Sequence, residues 1–346
     1  MKKIKVFLGG ITNVPNAQNY NCLSLSKLLD RDRFKVYSLL SSSHENNLPD
    51  DVDFISLPEP NRFFKYFGFL WGIFKADVCY LPRTDCFKWN QFWVKLFRKK
   101  SFRTIESIIT PESLSDNNVR RCVEHYKETE NLYPITKFMK EYNEINNKIK
   151  CSDDVLYLGV NLDPNRVLNH RTSIHKVVLI GNDLIRKGVY DYLLLSKSFP
   201  MIEFHIIGSG NGKINLNEIL NSNHYSNVIY HGILPMNEVK TLIPKFDLMI
   251  LPSHQEGFPK VILEFASYGI PSLVYSTYGA NEWIDDGVDG YIVNDFFSME
   301  KKLSEVILNS KSKKLDSRKV EELALRFSWE SKVSSWEKII TEVYEN

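Results

Sequence analysis

Two carboxylates eight positions apart, Glu256 and Glu264, are the strongest chemical signal in this chain. They lie in the run His254-Gln255-Glu256-Gly257-Phe258-Pro259-Lys260-Val261-Ile262-Leu263-Glu264. Eight residues is slightly more than two helical turns, so the second carboxylate falls near the side of a helix into which the first one leads. Gly257 lets backbone approach a ligand, Pro259 suits a first helical turn, and Gly269-Ile270-Pro271 ends the helix. The helix start presents free N–H groups, a seat for phosphate, flanked by carboxylates that accept hydroxyl hydrogens. Carboxylates at helical spacing are also ordinary on a solvated face, so the flanking sequence has to decide. Upstream, Phe246-Asp247-Leu248-Met249-Ile250-Leu251-Pro252-Ser253 reads as a buried strand feeding the loop, where open α/β sheets bind ligands.

A second loop of the same kind is Gly181-Asn182-Asp183-Leu184-Ile185-Arg186-Lys187-Gly188, which follows a strand and opens a helix. Cations there would neutralise the charge of a phosphate leaving group; a surface lysine at a helix start is the plainer account of Lys187. Asn182 donates hydrogen bonds without charge, and the direction of Arg186 in a turn is left open by sequence. Gly208 and Gly210 follow another strand, and His231-Gly232-Ile233-Leu234-Pro235 another. Gly9-Gly10-Ile11-Thr12-Asn13 forms the first strand-end loop, either an approach to phosphate or acceptor or an ordinary tight turn. Asp51-Val52-Asp53 has the form of a cation-holding pair but precedes a third strand, so it reads as a solvated turn and no metal site is expected.

Together these segments resemble the retaining GT-B glycosyltransferases of family 4, the glycosyl transferases group 1. Glu256 and Glu264 are similar to that family's Glu-x7-Glu motif, and the run from Tyr278 through Glu282 to Gly287 and Gly290 is similar to its Gly-x-x-Glu turn with two spaced glycines. The loop from Gly181 to Gly188 looks like its Gly-Arg-x-x-x-x-Lys-Gly segment, with Asn182 where arginine is expected. The resemblance implies catalytic roles for Glu256, on sugar hydroxyls, and for Lys187, on the diphosphate. It implies that Gly257, Phe258 and Pro259 line the sugar and phosphate loop, that Glu264 grips the ribose, and that Asn182, Arg186, Gly208, Gly210, Ile233 and Gly10 complete the donor site. The implied reaction is front-face displacement with retention, in which the leaving phosphate accepts the acceptor's proton. No cofactor and no metal are implied. A UDP-sugar is the favoured donor, with a GDP-sugar as the other choice. The family often ends a later N-terminal strand in histidine; none stands at Cys79–Asp85 or Thr104–Ser107, which leaves Glu106 or Asp85 as the sugar-facing group.

The elements that must position these residues alternate between strand-like and helix-like runs, the sequence form of a doubly wound α/β sheet. Strands are expected at Ile4–Leu8, Phe34–Leu40, Val52–Leu57, Asp77–Leu81, Phe102–Ile108 and Val155–Val160, then at Lys176–Ile180, Glu203–Ile207, Val228–Tyr230, Leu248–Leu251 and Ser272–Tyr275. Helices are expected at Tyr20–Leu29, Thr136–Lys148, Lys187–Ser198, Met236–Pro244 and Pro259–Tyr268. With 346 residues the chain suits two domains. The resemblance implies an N-terminal Rossmann-like acceptor domain over 1–163 and a Rossmann-like nucleotide-sugar domain over 164–326, facing across a cleft. A final helix, 327–346, is expected to cross back to the first domain.

Charge is nearly balanced, 44 Lys and Arg against 42 Asp and Glu, but residues 1–150 carry a net +7 and the remainder a net −5. The basic half should face an anionic partner. Between residues 61 and 103 there are ten Lys or Arg, two Asp and fourteen aromatic residues. Trp89, Phe92, Trp93 and Leu96 recur there at helical spacing beside Lys95, Arg98, Lys99 and Lys100. Trp89, Trp93 and Phe97 are expected to dip into the headgroup layer of an anionic membrane; domain core with a solvated rim is the alternative. No nucleic-acid recognition module accompanies the basic patch. Five scattered cysteines without CxxC spacing fit a reducing cytosol, no secretory leader is visible, and no apolar run approaches a membrane span of roughly 20 residues. The function expected is transfer of a sugar to a glycan, one linked to lipid during surface polysaccharide assembly, by a cytoplasmic enzyme peripheral to the inner face of the cell membrane. The rival reading is a catalytically silent GT-B protein that binds glycan or a partner enzyme.

Overall fold

The computed structural model describes residues 2–58, 62–82, 86–111, 113–170, 173–222, 225–308 and 315–346. They form two compact units, Met1–Gly159 with Trp329–Asn346, and Val160–Ser328. The first unit runs β1 (Ile4–Ile11), α1 (Ala17–Leu28), β2 (Phe34–Ser41), β3 (Asp53–Leu57), α2 (Arg62–Lys75), β4 (Val78–Tyr80), α3 (Phe87–Leu96), β5 (Lys100–Ile105), α4 (Asn117–Lys127), β6 (Leu132–Pro134) and α5 (Lys137–Asn147). Its strands form one parallel sheet in the order β3-β2-β1-β4-β5-β6. Strands covered on both faces must be apolar along their whole length, and Val6, Phe7 and Leu8 of β1 and Val78, Cys79 and Tyr80 of β4 are fully buried. The starts of α1, α4 and α5 are set by side-chain caps. Asn16 accepts from the Gln18 N–H at 2.9 Å, and Thr136 from the Met139 N–H at 3.1 Å.

The C-terminal helix, Trp329–Glu345, belongs to this first unit. Trp336 is fully buried, stands edge-on to Tyr80 at 5.1 Å, and donates its indole N–H to the Tyr157 carbonyl at 3.0 Å. Glu337 pairs with Arg33 at 3.1 Å and accepts the Asp30 N–H at 2.7 Å. Gly159 makes this packing possible, because a Cβ there would lie 2.6 Å from Trp329.

Two expectations for the first unit need correction. β1 runs on to Ile11, so Gly9 and Gly10 are strand residues and not a loop. Gly10 is buried, and a Cβ there would stand 2.8 Å from the Cys22 sulfur, so this glycine serves the close approach of α1. The sixth strand is β6, not Val155–Val160. Those residues meet β6 through the Leu156 N–H bonded to the Pro134 carbonyl at 2.8 Å, without joining the ladder, and a three-residue strand ending in proline is too short to show periodicity. Asp51 pairs with Arg31 at 2.5 Å and Asp53 with Lys35 at 2.9 Å, each held by its own cation.

The second unit runs β7 (Lys176–Gly181), α6 (Val189–Ser198), β8 (Glu203–Gly208), α7 (Leu216–Ser222), β9 (Val228–Gly232), α8 (Met236–Leu242), β10 (Leu248–Leu251), α9 (Lys260–Ala266), β11 (Ser272–Tyr275), β12 (Tyr291–Val293), α10 (Phe296–Leu308) and α11 (Ser317–Arg326). Its parallel order is β12-β11-β10-β7-β8-β9, so β7 and β10, distant in sequence, are neighbours. β12 was not expected, again because it is only three residues long. Among the described residues no helix is long and apolar enough to cross a membrane.

One buried polar pair in this unit is sensitive to acid. His205 of β8, 7% exposed, shares a hydrogen bond with His231 of β9 at 2.9 Å, and the two rings stack. Glu203 lies 3.3 Å from the other nitrogen of His205. Burial draws both histidines below the ordinary value of 6.5, with His231 and Lys176 adding to the effect on His205 and Glu203 opposing it. The folded state therefore prefers neutral rings, and as pH falls through about 6.5 the unfolded chain binds protons that the folded one refuses. Melting temperature should fall between about pH 7.5 and about pH 5.5 and fall less steeply in His231→Gln, as scanning calorimetry would register. A pH slope identical in parent and variant would remove the pair from this role.

Candidate active site

The loops after β7 and β10 meet because those strands are adjacent. Lys187, 8% exposed, places its ammonium 2.8 Å from Glu256, which is 5% exposed. Arg186 reaches the other Glu256 oxygen at 3.0 Å and donates to the Gln255 carbonyl at 2.8 Å. Ser253 ties the two loops together by donating to the Arg186 carbonyl at 2.9 Å.

The backbone explains how a lysine comes to lie buried here. The Lys187 N–H bonds to the Asp183 carbonyl at 3.0 Å, closing a tight turn, and a Cβ on Gly181 would fall 2.7 Å from the Lys187 stem. Gly188 has φ of 79°, a left-handed conformation, and a Cβ there would collide with the Pro252 carbonyl at 1.9 Å. The lysine is thus threaded between glycines that keep the β7 and β10 ends in contact. Burial pulls its pKa below the ordinary lysine value while Glu256 pushes it back up. Within a dry pair of this kind, removing one partner leaves the other charge uncompensated.

Glu256 is not on the helix. α9 begins only at Lys260, with Pro259 as the residue before it, so a loop delivers the first carboxylate and the eight-residue spacing is not a helical repeat. α9 has seven residues, which leaves Lys187 and Arg186 as the stronger positive features. Glu264 lies half-buried on α9, and burial raises its carboxyl above the ordinary 4.5 against the opposing charges of Lys260, Lys240 and Lys187. Lys187 is therefore within electrostatic reach of both carboxylates.

Gly257 is half-buried, and Phe258 packs its ring against Trp283 at 5.5 Å and Phe327 at 5.4 Å, so its side chain serves the core. Asn182 is exposed, and its carbonyl accepts from Ser209 at 3.2 Å. Gly208 pairs with Gly181 across β7 and β8, with φ of 126°, and a Cβ there would strike the Gly181 carbonyl at 1.8 Å. A Cβ on Gly210 would strike Ile214 at 2.4 Å. Ile233, after β9, is 73% exposed. The site residues of the second unit thus sit at the carboxyl ends of β7, β8, β9 and β10, whereas Gly10 is a packing residue of the first unit. In that unit Glu106 accepts from Thr104 at 2.8 Å and from the Tyr80 hydroxyl at 3.3 Å; Asp85 lies outside the described residues.

Two participants escaped the sequence reading. Tyr278 is buried, its hydroxyl has no hydrogen-bond partner among the described residues, and burial together with the charge of Glu256 holds its pKa well above the ordinary value. Asp191 of α6 accepts from the Tyr275 hydroxyl at 2.7 Å and lies 3.8 Å from His254, whose ring stacks on Tyr275. Tyr278 directly precedes the Gly-x-x-Glu turn, a signal that could have singled it out.

Residues 166–321 match the family described as Glycosyl transferases group 1. An uncharacterized glycosyltransferase of Methanocaldococcus jannaschii is 25% identical over 211 residues, 60% of this chain and 58% of that one. The alpha-galactosylglucosyldiacylglycerol synthase of Streptococcus pneumoniae is 33% identical over 125 residues, 33% of each chain. This chain thus spans a little over half the length of the archaeal relative and a third of the streptococcal one. The structure of Anabaena HepE in complex with UDP and glucose superposes with a TM-score of 0.78 at 14% identity, covering 98% of this chain and 100% of that one. The fold is that of the GT-B glycosyltransferases, and the match to the glycosyl transferases group 1 lies within the second unit.

Proposed function

We propose that this protein is a retaining glycosyltransferase that moves a sugar from a nucleoside-diphosphate donor to a glycan acceptor. The observation that carries the reading is the buried Lys187 beside Arg186, both held by Glu256 where β7 and β10 end. Breaking a bond between an anomeric carbon and phosphate builds negative charge on the diphosphate, and fixed cations stabilise it without reorganisation. Asn182 cannot supply the second charge, but Arg186 does so from the same turn, which argues against a catalytically silent protein. On this reading, donor binding exchanges Glu256 for the diphosphate as the partner of the cations. That frees the carboxylate for sugar hydroxyls, and Glu264 receives the ribose diol. Retention follows if the leaving phosphate takes the acceptor's proton on the same face, so that the protein orients the reactants and needs no separate base. UDP is the favoured nucleotide, in line with the UDP in the HepE complex, and GDP is the other choice. A lipid-linked acceptor, at the inner face of the cell membrane, is in line with the glycolipid named for the streptococcal relative.

Transfer from a panel of UDP- and GDP-sugars tests the reading as a whole. Lys187→Ala should lower kcat at least about tenfold, about 1.4 kcal/mol in the barrier, and should also lower the melting temperature because Glu256 then keeps only Arg186. In Lys187→Ala/Glu256→Gln the melting temperature should recover while turnover stays low. Recovery of both would reduce Lys187 to a structural role.

Glu264→Gln should weaken nucleotide affinity by roughly 1 kcal/mol, the margin between a charge-assisted and a neutral hydrogen bond, with the fold unchanged. Parent affinity should also rise with pH through a value above the ordinary 4.5 of a glutamate, since the ribose needs the carboxylate and burial delays its ionisation. Calorimetric titration with UDP across pH would read both effects, and an affinity equal in variant and parent would remove Glu264 from the site.

Chelation should leave turnover largely intact, because protein cations are assigned the diphosphate. Activity abolished by EDTA and restored by manganese would assign that charge to a metal instead.

A further inference from the structure

The aromatic segment of the first unit holds an open groove of about 520 Å³ with an all-apolar lining. It is lined by Ile55 of the edge strand β3, by Phe67, Leu70, Trp71 and Phe74 of α2, and by Trp93 and Phe97 at the end of α3. Trp93 and Phe97 are partly buried against the domain core, stacked on each other at 5.3 Å, so they shape the groove and do not project as free anchors. Other rings project around it. Phe63 is 60% exposed, Phe67 51%, Phe74 58% and Phe92 56%, and Phe63 meets Phe67 at 4.9 Å and Phe92 meets Trp93 at 5.0 Å, so the exposed rings are clustered and not scattered.

The same segment carries exposed cations. Lys75 ends α2, Lys95 lies on α3, and Arg98 and Lys100 follow it, all exposed. Asp77, one of the two acids of the segment, is committed to the Lys5 N–H at 3.1 Å.

We propose that this face docks on an anionic bilayer, with a lipid acyl chain lying in the groove and the basic rim on the headgroups. An interfacial surface needs apolar burial and cationic flanks together, and here both come from α2, α3 and the turn that leads from α3 into β5. A second copy of this chain would set one basic rim against another, so self-association is disfavoured. The inference deepens the lipid-linked acceptor of the proposed function and rests on that reading, but its readout does not require transfer activity.

Co-sedimentation of the intact protein with phosphatidylcholine vesicles, with and without phosphatidylglycerol, is the test. Binding should require the anionic lipid and weaken with salt. Phe67→Asp/Phe74→Asp and, separately, Lys95→Glu/Lys100→Glu should each lower partitioning at least tenfold, with melting temperature and transfer to a short soluble acceptor unchanged. Trp283, Trp329 and Trp336 are buried, so fluorescence quenching by acyl-brominated phosphatidylglycerol reports on Trp71, Trp89 and Trp93 and should weaken in Trp71→Phe/Trp93→Phe. Variants that sediment like the parent, or a dimer that Phe67→Asp/Phe74→Asp abolishes without vesicle binding by the parent, would overturn the proposal. Vesicle binding with no transfer from any nucleotide sugar would leave it standing and sink the transferase reading instead.

Discussion

The interaction on which the second unit's site depends is the contact of one buried carboxylate with two cations. Glu256 holds Lys187 out of water while reaching the exposed Arg186 with its other oxygen, and neither the lysine nor the glutamate could be buried there alone. The pair imposes its own conditions on the backbone. Gly181 must lack a side chain to admit the lysine stem, Gly188 must turn left-handed against Pro252, and Ser253 must bond across to the Arg186 carbonyl. A handful of residues that look like turn punctuation thus become the conditions for a dry, charged site.

The parallel sheet makes the meeting possible. In the order β12-β11-β10-β7-β8-β9 the chain reverses direction of winding at β7 and β10, and loops leaving adjacent strand ends on either side of that point converge. The same order in the first unit, β3-β2-β1-β4-β5-β6, brings the ends of β1 and β4 together, with the Tyr80, Thr104 and Glu106 network beside them. The C-terminal helix completes that unit by sealing β4 and β5 with Trp336. The two sheets share a plan but differ in what they cover. The first concentrates exposed aromatic rings on α2 and α3, while the exposed apolar residues of the second, such as Met201, Ile233 and Phe297, are spread over several elements.

Much of this was legible in the chain. Apolar runs such as Ile4 to Leu8 and Leu248 to Leu251 announce doubly covered strands, because a strand between two layers has no polar face to show. Glu256, Glu264 and Lys187 were marked by the loops around them. Elements of three residues, β6 and β12, left no period to read, and the strand expected at Val155–Val160 was an apolar run that packs without pairing.

What sequence by itself determined was therefore the α/β class, most of the strands, and the loops that carry the charged residues, since these depend on local composition and period. What only tertiary structure decided was who meets whom. The direction of Arg186 and the burial of Lys187 against Glu256 depend on strands far apart in the chain becoming neighbours, and the packing duty of Gly10 depends on how closely α1 lies on β1. The same holds for Trp93 and Phe97, whose helical spacing beside lysines marked an exposed face, while their contacts with α2 and the core turned them into the lining of a groove. Periodicity reports which residues share a side of an element; what lies against that side is set by the topology of the sheet.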